Sequence, residues 1–107
     1  MRSMRITLEI RPEAWDELNA ISEKHLRLAG EISAQRITDK ILDTLELLET
    51  SPLLGTECKE YPFNGTRYRR LICGNYICLY KAIDDMVYVY HIVDGRTDYP
   101  KLFESEA

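Results

Sequence analysis

Six side chains in the second half of this 107-residue sequence are the leading candidates for acid–base or anion-binding chemistry: Arg67, Arg69, Arg70, His91, Arg96 and Tyr99. His91 titrates nearest neutrality and could serve as a general base, but a lone histidine needs partners to become one. Its structural reading is a core or rim side chain pointing between Cys78 and the neighbouring strand. Tyr99 could donate a proton or stack on a base, or it could pin a C-terminal turn onto the body of the protein. Arg96 lies between Asp94 and Asp98, so it could bind an anion or close an internal ion pair. Arg69 should sit opposite Tyr80, where packing of guanidinium on ring is worth roughly 0.5–1 kcal/mol if exposed. Arg67 and Arg70 are freer to meet a partner.

The three cysteines, Cys58, Cys73 and Cys78, have no CxxC spacing and no histidine placed to complete a metal set. They read as reduced thiols in or near strands, and no metal or cofactor is expected. Nothing in Met1–Ile10 reads as a signal peptide, and no apolar run approaches the ~20 residues that span a bilayer. A cytoplasmic protein without membrane attachment is expected, with either Met1 or Met4 as the start. Charge is uneven: residues 1–64 hold 8 basic and 12 acidic side chains, residues 65–101 hold 6 and 4, and with Glu104 and Glu106 the net is −4. A protein built to grip nucleic-acid backbone would carry a larger basic surplus, so sequence-specific DNA binding by this chain alone is not expected.

The elements that must position these residues are legible from hydrophobic period. Ile6, Leu8 and Ile10 alternate with polar residues as a strand does. Pro12 then opens a helix, with acids in its first turn and Ala14, Leu18, Ile21, His25 and Leu28 on one face. Gly30 stops it. A second helix carries Ala34, Ile37, Ile41, Leu45 and Leu48 on one face and ends near Thr50, because Pro52 disfavours helix at Ser51. The pair makes an antiparallel helical hairpin. Residues 51–66 read as a loop, followed by strands Tyr68–Cys73, Tyr76–Ile83 and Met86–Val93. Gly74-Asn75 suits a type II′ hairpin, and Asp84-Asp85 makes the next turn. A short helix or turn should close the chain after Gly95. The fold class is α+β: one domain over 1–107, with an N-terminal strand, a helical hairpin and a three-stranded antiparallel meander in one four-stranded sheet.

With two-residue turns, one sheet face carries Arg69, Leu71, Cys73, Tyr76, Cys78, Tyr80, Val89, His91 and Val93. The other carries Tyr68, Arg70, Ile72, Ile77, Leu79, Lys81, Tyr88, Tyr90 and Ile92. Both faces are largely apolar and two helices can cover only one. The remaining face, rich in tyrosine, has the character of a protein-binding surface.

Gly65-Thr66-Arg67-Tyr68-Arg69-Arg70-Leu71, then Asn75-Tyr76-Ile77-Cys78-Leu79-Tyr80, then Gly95-Arg96 with Asp98-Tyr99, resembles the RelE/ParE superfamily of bacterial toxins, and the order of elements fits as well. The resemblance implies a type II toxin that arrests growth and is neutralised by a cognate antitoxin. It further implies one of two targets, the ribosome with its messenger RNA or DNA gyrase; an inactive toxin-fold binding protein is a third possibility. Fold does not choose among them.

RNA cleavage through the 2′-hydroxyl needs a base, an acid and cationic support for the phosphorane. The nucleases that this chain resembles commonly carry an arginine directly after the tyrosine that opens the middle strand; here that position is Ile77. His91, Arg96, Tyr99 and Arg70 remain as nuclease candidates, but the gyrase-directed, ParE-like branch is favoured. The antitoxin is expected to cover the leftover apolar face, including Tyr68, Ile72, Ile77, Leu79, Tyr90 and Ile92, and to reach Arg67, Arg70 and Arg96.

Overall fold

A computed structural model describes residues 6–101. Strand β1 (Thr7–Ile10) leads into α1 (Pro12–Ala29) and α2 (Glu31–Glu46), with a 3-10 turn at Leu47–Glu49. Strands β2 (Thr56–Glu57), β3 (Arg69–Cys73), β4 (Tyr76–Ile83) and β5 (Met86–Asp94) follow. The sheet has five strands in the order β1-β5-β4-β3-β2, with β1 parallel to β5 and the other pairs antiparallel. The expected sheet of four therefore gains a strand. β2 forms inside the expected loop, where Thr56 and Glu57 pair with Arg70 and Arg69. Two residues carry no alternation, so only the neighbouring strand defines them.

Both hairpin turns have two residues, as expected: Cys73 pairs with Tyr76, and Ile83 with Met86. Gly74 takes φ +60° while Asn75 stays out of the left-handed region, which is the II′ pattern. Gly30, at φ +88°, divides the helices. α1 and α2 lay Ala14, Leu18, Ile41 and Leu45 on the sheet, together with Leu48 from the 3-10 turn, against Leu71, Cys78, Tyr80, Val87, Val89 and Ile92. Each large apolar side chain buried there contributes roughly 1.5–3 kcal/mol. The second helix ends as α-helix at Glu46, earlier than expected, and tightens through Leu47–Glu49.

The expected faces fail in β5. Leu79 pairs with His91 but Tyr80 pairs with Val89, so Tyr90 is an extra residue, a β-bulge. Beyond it the alternation is displaced: Ile92 packs in the helix-side core, and Val93 is the partner of Ile77. The bulge lies just past the last β1 pair, Ile10 with Val89. There Glu17 of α1 substitutes for the missing strand. Its Oε1 accepts the Ile92 N–H at 3.1 Å and stands 3.2 Å from His91 Nδ1. Glu17→Ala would strand that backbone donor, and a loss of about 1–3 kcal/mol in urea denaturation is expected. Glu17→Gln, which keeps an acceptor oxygen, should lose less; equal losses would refute the backbone role.

The second sheet face is not left open either. Phe63, from the loop after β2, packs with Tyr68 and Leu79, and Cys58, Ile77, Tyr90 and Tyr99 close around them. Phe63 and Tyr68 meet edge to face at 6.0 Å, as do Tyr68 and Tyr90 at 5.4 Å. Lys81 Nζ stands 4.5 Å over the Tyr68 ring. Of the residues expected to await a partner, Tyr68, Leu79 and Ile92 are buried within the chain itself. Ile77 and Tyr90 are half-buried, and Ile72 is 66% exposed. The chain turns after Gly95 and again at Tyr99–Pro100, where a short helix or turn was expected.

Candidate functional site

The six candidate side chains do not converge. His91 is held against the Glu17 carboxylate. Arg96 lies after β5 and folds back on Asp94, with Nη2 at 2.9 Å and Nε at 3.2 Å from its oxygens. The Arg96 backbone N–H also donates to Asp94 at 2.9 Å. Tyr99 reaches the other sheet face, 6.1 Å from the Phe63 ring, and its nearby phenol raises the pKa of Arg70. Arg69 sits opposite Tyr80 as expected, with Glu57 at 4.0 Å and its Nε buried without a partner. Arg67 is exposed, at φ +69°.

Of the six, Arg70 and Tyr99 line one cavity together. It measures about 180 Å³, and Cys58, Lys59, Glu60 and Phe63 are among its other walls. The Cys58 thiol is pushed up by burial, against the nearby arginines, so it is a poor nucleophile. Burial pushes Cys78 up to about 12. Among the described residues no group of three or more His, Cys, Asp or Glu is arranged to hold a metal ion, and no helix is long and apolar enough to cross a membrane.

Ile77, where the nucleases carry arginine, pairs with Ile72 and Val93 and lies close under Gly95. The Arg96 clamp holds the Asp94 carboxyl at about 2, well below 3.8, mainly through the side-chain hydrogen bond. A depressed folded value means that the clamp stabilises fully above about pH 4 and fades as the pH falls through about 2. In low salt, the melting-temperature gap between the wild type and Asp94→Asn should therefore close between about pH 5 and pH 2. A gap constant over that range would refute the clamp.

One polar cluster was not legible in the sequence. His25, assigned only to a helix face, has Nε2 3.0 Å from Tyr76 Oη and Nδ1 3.2 Å from Ser33 Oγ. Those three residues come from α1, α2 and β4, and their separations of 8 and 51 residues carry no sequence signal. Burial, then Asp94, raises the Tyr76 pKa.

Among solved structures the fold is similar to a chain of the chromosomal ParDE toxin–antitoxin system from P. aeruginosa, with a TM-score of 0.73 and 16% identity. The match covers 86% of this chain and 98% of that one. No curated protein matches. Residues 8–99 match the family model described as the ParE toxin of type II toxin-antitoxin system, parDE. That span runs from β1 through the turn after β5, so the elements that build the sheet and both helices lie within it, and this chain belongs to the ParE toxin family.

Proposed function

We propose that this protein arrests growth by binding a protein target, with DNA gyrase the precedent in the branch it resembles, and that a cognate antitoxin neutralises it. The observation that carries this reading is the dispersal of the candidate catalytic groups. His91 is committed to Glu17 and Arg96 to Asp94, and Arg70 stands apart from both in a cavity it shares with Tyr99. General acid–base catalysis requires base, acid and cation around one phosphate, within hydrogen-bond reach of the atoms they serve. The antitoxin reading is supported by the open end of β3, where Ile72 projects beside Leu47, Leu54 and Arg70 around a cavity of about 370 Å³. A disordered segment that folds on binding suits such a surface.

Induced expression in bacteria tests both halves. Expected are growth arrest with double-strand breaks and a DNA-damage response, and rescue by the antitoxin encoded beside the gene. Normal growth would sink the toxin reading, and arrest with fragmented messenger would move it to the ribosome. The shared cavity of Arg70 and Tyr99 favours that second reading, a ribosome-dependent endonuclease, because it places one cation beside one phenol.

A further inference from the structure

The toxin reading assigns no role to the junction where α1, α2 and β4 meet. Gly30, at φ +88°, reverses the chain between the helices, and His25 and Ser33 come together across the break. Ser33 Oγ stands 3.2 Å from His25 Nδ1, and Tyr76 Oη stands 3.0 Å from Nε2. Both tautomers of the ring satisfy these two bonds. With the proton on Nε2, that nitrogen donates to Tyr76, and Nδ1 accepts from the Ser33 hydroxyl. A hydroxyl bonded to a base, whose far nitrogen is held by a third group, has the arrangement of an activated nucleophile. Burial, then Asp94, raises the Tyr76 pKa, so its oxygen stays a neutral acceptor.

The same serine is open to a ligand. Ser33 and His25 are half-buried and line two adjoining cavities of about 460 and 410 Å³. Each volume falls within the roughly 300–1,000 Å³ of small-molecule sites. Leu28, Ala29 and Ile37 line the larger one, which gives an aliphatic group a wall in the cavity that the hydroxyl shares. Lys24 and Lys40 border it too, and among the described residues no Asp or Glu does. Arg96 also reaches it, but its charge is held by Asp94. Ser33 lies in the first turn of α2, where Gly30 offers the backbone N–H groups no side-chain cap. Negative charge developing on a substrate oxygen therefore meets a positive surround.

We propose that Ser33 and His25 form a slow esterase site for small esters of aliphatic carboxylic acids, with Tyr76 as the positioning residue. Ser33 Oγ attacks the ester carbonyl carbon while His25 Nδ1 takes its proton. The bond from that carbon to the alcohol oxygen then breaks, and the imidazolium gives its proton to the departing oxygen. Water next attacks the acyl-serine. His25 takes the water proton, the acyl–Oγ bond breaks, and the proton returns to Ser33. The products are the carboxylic acid and the alcohol, with water the only other reactant. Turnover is slow because a neutral phenol supports the imidazolium less than the carboxylate of a protease triad does. This chemistry is independent of the proposed protein target.

The test is p-nitrophenyl butyrate with the purified full chain, following nitrophenolate release and locating butyryl groups by peptide mass mapping. Hydrolysis that saturates with ester is expected, with butyryl recovered on Ser33. Ser33→Ala and His25→Gln should each slow it at least about tenfold, against the roughly hundredfold or more that a well-oriented general base contributes. Tyr76→Phe should lower kcat about three- to tenfold, the kinetic worth of one neutral hydrogen bond. Its KM should stay within about twofold, as when an interaction made only in the transition state is lost. Ser33→Cys keeps a nucleophile in place and decides the matter should His25→Gln fail to fold: butyryl at position 33 is expected. Ser51→Ala, outside the cleft, should match the wild type. Hydrolysis no faster than by the urea-denatured chain, an undiminished rate in Ser33→Ala, or butyryl confined to lysines or Cys58 would each overturn the proposal.

Discussion

Messenger RNA on programmed ribosomes is expected to emerge uncut after incubation with the purified protein, when its ends are mapped by primer extension. Ile77 stands where the related nucleases carry an arginine, and an aliphatic side chain neither neutralises a phosphate nor donates a proton. Loss of one preorganised charge donor typically costs about 2.7–4 kcal/mol in the transition state, a hundred- to a thousandfold in rate. Arg70 is the natural substitute. It pairs with Leu79, which makes Ile77 its diagonal neighbour on the same face. Yet it lines a cavity with Tyr99 that neither His91 nor Arg96 borders. The only histidine in the sheet is held on Glu17 of α1, and Arg96 is clamped by Asp94. The net charge of −4 also disfavours docking in a cavity lined by RNA phosphate. Discrete cuts at the ribosomal A site that disappear in Arg96→Ala or Arg70→Ala would overturn this expectation.

A single methyl group at position 55 should cost about 2–3 kcal/mol of stability, the sum of overpacking and a disturbed buried hydrogen-bond pair. A Cβ on Gly55 would lie 2.6 Å from the Arg70 carbonyl oxygen and 2.7 Å from Tyr80 Cε1. Backbone on one side and a fully buried ring on the other leave no flexible neighbour to give way. The Gly55 N–H also donates to Tyr80 Oη at 2.8 Å, and that hydroxyl donates to the Pro52 carbonyl at 2.9 Å. One phenol thus ties the 51–57 segment to the centre of the sheet and holds β2 beside β3. Tyr80→Phe removes the tie without the clash, so it should cost about 1–3 kcal/mol. The double variant should cost less than the sum of the two, because both act on one contact. Urea denaturation of the three variants checks this. Wild-type stability in Gly55→Ala would mean that the segment can move aside.

The local elements were written in the sequence. Pro12 and the apolar spacing from Ala14 to Leu28 specified α1, Gly30 the break, and Gly74-Asn75 the first hairpin turn. Each rests on a preference of the chain within a few residues: a fixed φ at proline, a positive φ at glycine, a period of 3.6 or 2. The family resemblance was legible for the same reason, since its motifs are short and keep their order along the chain.

The bulge at Tyr90 was decided elsewhere. β1 ends at Ile10 because Pro12 starts a helix, so β5 runs on without a neighbour on that side. Glu17, more than seventy positions away in sequence, supplies the acceptor there. Nothing local to residues 88–93 encodes that, and one extra residue was enough to bring Ile92 into the core. The second core depended on distance in the same way: Phe63 covers Leu79 only because the loop folds back over the sheet. The sequence by itself determined the elements and their order, through interactions that span a few residues. The tertiary structure alone decided which face was covered, which ion pairs occupied the candidate catalytic groups, and which hydroxyl groups gathered around His25. Those outcomes depend on contacts whose partners lie in different elements, and hydrophobic period along the chain carries no information about them.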